Sequence, residues 1–216
     1  MRIWKLVLDL LYPKRCVLCH KLIETDDPLC RDCRRKYCMM AGEHRSRKLP
    51  GTEGCYAPLW YEEDVRASLL RYKFQGQSGY AKVYGEFLAK CIDENAISCD
   101  IITWVPLSTR RLRSRGYDQA RLLAEEIAEH CKRPCVPLMK KLRNNPAQSR
   151  TGDAVRRKEN VAGIYSALNE EQVRGKRVLL VDDIVTTGAT LTEAARILKA
   201  AGAGKIVCIA LATKRD

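Results

Sequence analysis

The hydrophobic positions of this chain fall into short unbroken runs that alternate with amphipathic stretches. Apolar runs of strand length occupy residues 100–106, 178–181 and 205–213. Such runs are typical of strands that are covered on both faces of a parallel sheet. Apolar residues recur at helical spacing elsewhere, which predicts helices over 64–72, 80–92, 118–130 and 191–201. With a further strand ending near Tyr61, the pattern predicts an α/β fold in which helices flank a parallel sheet.

Two adjacent aspartates and a threonine-rich turn follow the run at 178–181. Open α/β sheets bind ligands at the carboxyl ends of their strands, so Asp182 and Asp183 are expected at a binding edge. The turn after them consists of Thr186, Thr187, Gly188, Ala189 and Thr190. Its glycine lets backbone N–H groups converge, and its hydroxyls and the next helix N-terminus add donors and positive charge. The turn is therefore suited to a phosphate monoester.

The two carboxylates need a different partner, because they repel phosphate. They suit the hydroxyls of a ribose, or a magnesium ion bound through water. A phosphorylated ribose with its 5′-phosphate in the turn and its 2′- and 3′-hydroxyls on Asp182 and Asp183 satisfies all of these groups. The alternative, an aspartate cap on a threonine-rich first helical turn, accounts for one of the seven residues.

The segment VLLVDDIVTTGATL resembles the phosphoribosyl-pyrophosphate (PRPP) binding motif of type I phosphoribosyltransferases. In that family an apolar strand precedes two acidic residues and a Thr-Thr-Gly-x-Thr loop. The resemblance implies a PRPP pocket, with magnesium as a companion ion. It also implies that pyrophosphate lies on the loop after the first core strand, a place that falls by chain order on Ser108, Thr109, Arg110 and Arg111. Contact with nucleic acid is the competing hypothesis for the two arginines.

Four cysteines near the start of the chain form two Cys-x2-Cys pairs, which are Cys16, Cys19, Cys30 and Cys33. Four thiolates complete the closed tetrahedral shell of a structural zinc, and such a site folds its segment without doing chemistry. A thioredoxin-like redox pair is disfavoured because no strand precedes either motif. Cys38 and Cys55 lie nearby, but neither has a partner two residues away, so their role stays open.

The charge of the chain is strongly positive and unevenly distributed. The formal net charge is +13, and residues 105–160 carry 14 Lys and Arg against 6 Asp and Glu, whereas residues 51–104 carry 5 against 8. Basic regions favour polyanions such as nucleic acid, or a multiply charged small substrate, and a solvated basic surface is the alternative. No secretory signal or membrane span is evident, and eleven cysteines fit a reducing compartment, so we expect a cytoplasmic protein without membrane insertion.

The basic residues that could contact nucleic acid fall in three tracts. They are Arg31, Arg34, Arg35 and Lys36 at the second cysteine pair, Arg113 and Arg115 after the first core strand, and Arg143, Arg150, Arg156, Arg157 and Lys158 in a polar segment. The aromatic residues Tyr37, Tyr56, Tyr72, Phe74 and Tyr117 could stack bases, although most such aromatics belong to a core. The polar segment 142–161 is expected to be a long loop that closes over a substrate.

Taken together, these segments resemble the ComF family of competence-associated proteins. The resemblance rests on the cysteine pairs, LLRYKFQG, VPLSTRRLRSRGYDQARLLA, QSRTGDAVRRKEN and VLLVDDIVTTGATL, in that order. Thr151 departs from the leucine of many members. The family implies a type I phosphoribosyltransferase-like parallel sheet flanked by helices, with a small N-terminal zinc-binding module. We expect an amphipathic helix and this module over 1–58 and the phosphoribosyltransferase-like domain over 59–216.

Three functions remain open at this point. The first, implied by the family, is a factor in DNA uptake and natural transformation that binds single-stranded DNA and a PRPP-type ligand. The second is an active PRPP-dependent transferase on an unidentified base or amine acceptor. The third is an adaptor for a helicase or recombination protein, with the zinc module as the contact. The sequence assigns no general base for the acceptor, and no acceptor itself.

Overall fold

A computed structural model describes residues 13–40, 45–142 and 163–215 of the chain. The strands in these ranges are β1 (Ser46–Arg47), β2 (Gly54–Tyr56), β3 (Leu59–Trp60), β4 (Ile101–Trp104), β5 (Met139–Lys141), β6 (Tyr165–Ala167), β7 (Arg177–Val185) and β8 (Lys205–Thr213). The helices are α1 (Arg31–Met40), α2 (Glu63–Phe74), α3 (Tyr80–Glu94), α4 (Thr109–Arg115), α5 (Gln119–Cys131), α6 (Glu170–Val173) and α7 (Ala189–Ala200).

A six-stranded sheet forms the centre of the fold. Its order is β1-β2-β8-β7-β4, and β3 also pairs with β8. All pairings except the antiparallel β1 and β2 are parallel, with Val181 opposite Trp104 on one side and Ile209 on the other. The strands β5 and β6 form a separate antiparallel pair. The parallel sheet that the apolar runs predicted is therefore confirmed, and its two central strands are β7 and β8.

Two hydrophobic clusters cover the opposite faces of this sheet. Because alternate residues of a strand point to opposite faces, Leu179 and Val181 belong to one cluster, whereas Val178 and Leu180 belong to the other. Helices α2, α3 and α5 and the cysteine pairs pack on the first face, and α7 packs on the second. The continuous apolar run of β7 reflects this burial on both faces.

Several predicted elements differ in their bounds from those observed. Strand β7 continues through the aspartates to Val185, because Asp182 and Ile184 still pair with β8 at Ala210 and Ala212. The acidic pair thus lies within the second half of the strand. Helix α7 begins at Ala189, two residues before the predicted start.

The basic loop after β4 contains a helix that the sequence did not predict. Helix α4 lacks buried residues, so it has no apolar stripe for a pattern to detect. Its signals are local: Ser108 accepts a hydrogen bond at the N-terminus, and Gly116 ends the helix in the left-handed conformation.

The segment from Arg45 to Pro58 is part of the sheet rather than the linker or irregular extension that its composition suggested. Its strand β2 pairs with β8, and β1 pairs with β2. The division of the chain at residue 58 stays a prediction. The predicted N-terminal amphipathic helix and most of the loop predicted over 142–161 lie outside the described residues.

Candidate functional site

The four paired cysteines lie together at the N-terminal end of the described chain. The Sγ atoms of Cys16, Cys19, Cys30 and Cys33 are all within 4.8 Å of one another. Those of Cys19 and Cys30 are 3.6 Å apart. A tetrahedral zinc with Zn–S bonds of about 2.3 Å spaces its sulfurs by about 3.8 Å, so the cluster has about the size that this ion needs. Four protein ligands leave no open position, which is the arrangement of a structural zinc.

The other two cysteines that the sequence left open are separate from this cluster. Cys55 lies buried in β2, opposite Cys208 of β8, and therefore belongs to the core of the sheet. Cys38 lies within α1, and the position of its side chain is outside the described part of the structure.

Three of the four basic residues beside the second cysteine pair contact carboxylates of the chain itself. Arg34 binds Asp27 through its Nε atom at 2.9 Å and Glu86 through its Nη1 atom at 3.2 Å. Lys36 binds Glu63 at 3.0 Å, and Arg35 lies 3.7 Å from Asp32. These pairs neutralise much of the local charge. Nucleic-acid contact at these residues and at the exposed Arg31 stays a prediction.

A cavity of about 450 Å³ opens at the carboxyl ends of β4 and β7. Of the predicted site residues, the structure places Asp182, Asp183, Thr186, Thr190, Arg111 and Arg115 in its wall. The wall also holds polar residues that were not predicted as site residues, among them Lys73, Asp118, Lys141 and Tyr165. Among the described residues predicted for this site, Ser108, Thr109, Arg110, Thr187, Gly188 and Ala189 are not part of the cavity wall.

The two aspartates of the acidic pair, Asp182 and Asp183, have very different surroundings. Burial, followed by the negative charge of Asp183, raises the pKa of Asp182 to about 8. The Asp182 Oδ1 atom accepts a hydrogen bond of 2.8 Å from the backbone N–H of Asp183. Asp183 itself pairs with the ammonium group of Lys73 at 2.8 Å, and both side chains are largely buried. One carboxylate is therefore neutralised by a cation, while the other favours its protonated form in the absence of a ligand.

The turn between β7 and α7 is held from outside the motif. Gly188 has a φ of 75°, a left-handed conformation that favours glycine. Arg47 donates a hydrogen bond through Nη1 to the backbone carbonyl of Thr186. The backbone N–H of Ala189 donates to Thr187 Oγ1 at 3.4 Å, so the Thr187 hydroxyl helps to shape the turn. Thr190 lies in the first turn of α7, where the helix N-terminus adds partial positive charge to the cavity.

The basic wall of the cavity comes from α4 and from β5. Arg115 donates to Gln119 Oε1 at 2.8 Å and lies over the ring of Phe74, 4.9 Å from its centre. Burial lowers the pKa of Lys141, and the nearby Arg111 lowers it further. Burial also raises the pKa of Asp118, which accepts a hydrogen bond of 2.9 Å from the backbone N–H of Leu107. Cations thus face the acidic pair across the cavity.

The remaining sequence candidates separate into core residues and surface residues. Tyr37 and Tyr72 are buried in the core, whereas Phe74 is 65% exposed at the end of α2. Arg110 and Arg113 are exposed on α4. The candidates Arg143, Arg150, Arg156, Arg157 and Lys158 lie outside the described residues.

The chain matches two domain families by sequence. Residues 116–216 match the phosphoribosyl transferase domain, and residues 7–56 match the double zinc ribbon domain. The first match contains the acidic pair and the threonine turn. The second contains all four clustered cysteines. No helix in the described ranges is both long and apolar enough to cross a membrane.

Several curated proteins are similar to the chain. Competence protein F of Haemophilus influenzae is 26% identical over 214 residues, covering 89% of this chain and 93% of the relative. Competence protein ComFC of Bacillus subtilis is 30% identical over 142 residues, covering 64% of this chain and 55% of the relative. DNA utilization protein YhgH of Escherichia coli is 25% identical over 200 residues, covering 88% of this chain and 86% of the relative.

One solved structure with a similar region is the glutamine PRPP amidotransferase of B. subtilis, complexed with ADP and GMP. It is 25% identical to this chain, with a TM-score of 0.44. The similarity covers 65% of this chain and 30% of the amidotransferase.

Proposed function

Because the chain belongs to the ComF family of competence-associated proteins, we propose that it acts in DNA uptake and carries a pocket for a PRPP-type phosphorylated ribose. Relatives that are similar over most of the chain are named for competence or for DNA utilization. One observation carries the ligand proposal. A single cavity at the sheet edge collects two adjacent carboxylates, two threonines and four cationic side chains.

Each part of the ligand has a matching group in this cavity. The 5′-phosphate binds the turn at residues 186–190, where Thr186 and Thr190 face the cavity. The ribose hydroxyls bind Asp182 and Asp183. The pyrophosphate lies toward Arg111, Arg115 and Lys141, whose charges offset its own. Magnesium, when bound with the ligand, supplies further charge neutralisation.

Titration calorimetry on the purified full chain tests the ligand proposal. PRPP with magnesium is compared with ribose 5-phosphate, inorganic pyrophosphate and a nucleoside monophosphate. We expect PRPP to bind more tightly than either fragment, because only PRPP occupies all three parts of the cavity. Asp183→Asn should weaken PRPP binding and leave pyrophosphate binding nearly unchanged. Equal affinities for PRPP and pyrophosphate would overturn the assignment of the ribose site.

Binding of single-stranded DNA is the second part of the proposal, and its support is the charge of the chain. The excess of Lys and Arg over Asp and Glu is largest in residues 105–160, which include α4 at the mouth of the cavity. The proposed place of action is the cytoplasm, where incoming single strands are received. Affinity for a single strand should fall steeply with added salt, because phosphate contacts release counterions. If the protein does not bind single-stranded DNA, or binds it with an affinity that does not depend on salt, the proposal of DNA binding is wrong.

An active transferase is the second candidate function. The three cations assigned to the pyrophosphate, Arg111, Arg115 and Lys141, favour it, because a pyrophosphate leaving group gains negative charge as its bond to the anomeric carbon breaks. In this reaction an acceptor nitrogen attacks the anomeric carbon of PRPP, and pyrophosphate leaves. The test measures pyrophosphate release across a panel of bases and amines. Turnover with one acceptor supports the enzyme, whereas tight PRPP binding without turnover on any acceptor supports the binding function alone.

A further inference from the structure

Helix α2 contacts the zinc-binding cysteine segment and the cavity at once. The first contact is made by Ser68 and Arg71. Ser68 Oγ donates to the backbone carbonyl of Val17 and accepts from the Tyr84 hydroxyl, which is 2.6 Å away. Arg71 Nη2 donates to the backbone carbonyls of Val17 at 3.1 Å and Leu18 at 2.6 Å. Val17 and Leu18 are the two residues between Cys16 and Cys19, so α2 holds the backbone of the first cysteine pair directly.

The N-terminal end of α2 contacts the helix that contains Cys33 of the second cysteine pair. Lys36 binds Glu63 at 3.0 Å, and the Tyr37 hydroxyl donates to Asp64 at 3.3 Å. Lys36 and Tyr37 belong to α1, which begins directly after Cys30 and contains Cys33. Asp64, Ser68 and Arg71 are spaced by four and three residues, so they share one face of α2.

The C-terminal end of α2 reaches the ligand cavity through Lys73, and the residues on either side of Lys73 contact the surroundings of the cavity. The Tyr72 hydroxyl donates to the backbone carbonyl of Gln119 at 3.0 Å, and Lys73 pairs with Asp183. Phe74 packs under the guanidinium group of Arg115. Lys73 and Asp183 are 16% and 13% exposed, so water screens their pairing weakly. The end of α2 therefore touches both the acidic and the basic walls of the cavity.

We infer that Lys73 is a positioning residue of the ribose site and that α2 couples its placement to the metal-bound cysteine pairs. This inference rests on the proposed function, because the ribose is assigned to Asp182 and Asp183. Lys73 holds Asp183 in place through the Oδ1 atom and leaves the other lone pairs of this carboxylate to accept ribose hydroxyls. Zinc closes the cysteine pairs and so fixes the carbonyls that Arg71 and Ser68 bind. Loss of either contact lets the end of α2 shift, and Lys73 shifts with it.

Two measurements on Arg71→Ala test the coupling, because this change leaves all four cysteines and every residue of the cavity wall in place. The first is hydrogen exchange at residues 177–191, and the second is the affinity for PRPP with magnesium. We expect the variant to retain its zinc, to exchange faster in this segment, and to bind PRPP about tenfold more weakly. Arg66→Ala, an exposed change on the same helix, is the matched control and should alter neither measurement.

A second pair of variants tests Lys73 itself. Lys73→Met should weaken PRPP binding and move the pH profile of binding upward, because the charge of Lys73 lowers the pKa of Asp182, whereas the charges of Asp183 and Asp118 raise it and remain. Arg115 and Lys141 also face this pair and stay unchanged. Lys73→Arg should restore the profile. Unchanged exchange and affinity in zinc-loaded, folded Arg71→Ala would overturn the coupling. If the unaltered protein does not bind PRPP, the proposed function fails, and the exchange experiment still decides whether α2 links the cysteine pairs to the turn.

Discussion

The side chain of Leu49 occupies the space beside Gly188 in which any other residue would carry its Cβ atom. A Cβ built on Gly188 would lie well under 3.0 Å from Leu49 Cδ2. Leu49 is buried in the core cluster on the α7 side, so it cannot swing away into solvent. Glycine is thus required at position 188 for two reasons, which are the positive φ and the close approach of Leu49.

Gly188→Ala should lower the free energy of unfolding and weaken phosphate binding at the turn. The left-handed conformation alone costs an alanine about 1–2 kcal/mol, and the contact with Leu49 adds to that cost. Urea unfolding and calorimetry with PRPP measure the two effects. Gly76→Ala is the control, because Gly76 has a φ of 68° with nothing within 4 Å of its built Cβ. Equal losses of stability in the two variants would show that Leu49 plays no part.

The stability of the protein should depend on pH through Asp182. Burial, followed by the charge of Asp183, raises the pKa of Asp182 to about 8 in the folded chain, against an ordinary value of 3.8. The folded state therefore holds a proton that the unfolded state releases, and the contribution of this group is complete below pH 3.8. It is lost as the pH rises toward 8. Lys73 opposes this shift, and Asp118 adds to it.

Asp182→Asn removes this titration while keeping the shape of the side chain. Its free energy of unfolding should fall less than that of the unaltered protein between pH 5 and pH 8, with a difference of about 3–4 kcal/mol across this range. Thermal unfolding across this range provides the measurement. Parallel profiles for the two proteins would contradict the raised pKa. A ligand that requires the ionised carboxylate should bind the unaltered protein more tightly as the pH rises.

The parts of this site that are contiguous in the chain could be predicted from the sequence. Asp182, Asp183 and the threonine turn follow an apolar run directly, and the four cysteines are spaced as close pairs, so each signal is local. The parallel sheet could also be predicted from the sequence, because burial on both faces leaves an unbroken apolar pattern in β7 and β8.

The residues that hold these motifs in place have no such signal. Lys73 is 110 positions before Asp183, and Arg47 is 139 positions before Thr186. Both contacts arise only when the sheet brings distant segments together. The sequence also gives no sign that Lys141 lies in the cavity wall, because a lysine in a short strand ordinarily faces solvent. Helix α4 was missed for the opposite reason, since it is exposed and its formation depends on its caps rather than on a buried face.

The four-cysteine cluster should bind one zinc ion that stabilises the fold. Cys33→Ser removes a buried ligand and should abolish zinc retention, lowering the free energy of unfolding by several kcal/mol. Cys135→Ser is the matched control, because Cys135 lies beside β4 and outside the cluster. Metal analysis after gel filtration and thermal unfolding with and without a chelator measure both effects. Full zinc retention in Cys33→Ser would exclude this residue as a ligand.

Arginines of the two basic tracts within the described residues should contribute unequally to the binding of single-stranded DNA. Arg113 is exposed on α4 and forms no ion pair within the described ranges, whereas Arg34 is held by Asp27 and Glu86. DNA phosphates must compete with those carboxylates for Arg34, so less binding energy is available there. Arg113→Ala should therefore weaken binding more than Arg34→Ala, although both changes remove one positive charge.

The salt dependence of binding separates this local effect from the general positive charge of the protein. Arg113→Ala should reduce the slope of log affinity against log salt concentration by about one, which is the signature of one lost phosphate contact. Arg34→Ala should leave the slope nearly unchanged. Fluorescence anisotropy with a labelled oligonucleotide at several salt concentrations measures both slopes. A larger effect of Arg34→Ala would instead place the DNA on the cysteine module, away from the mouth of the cavity.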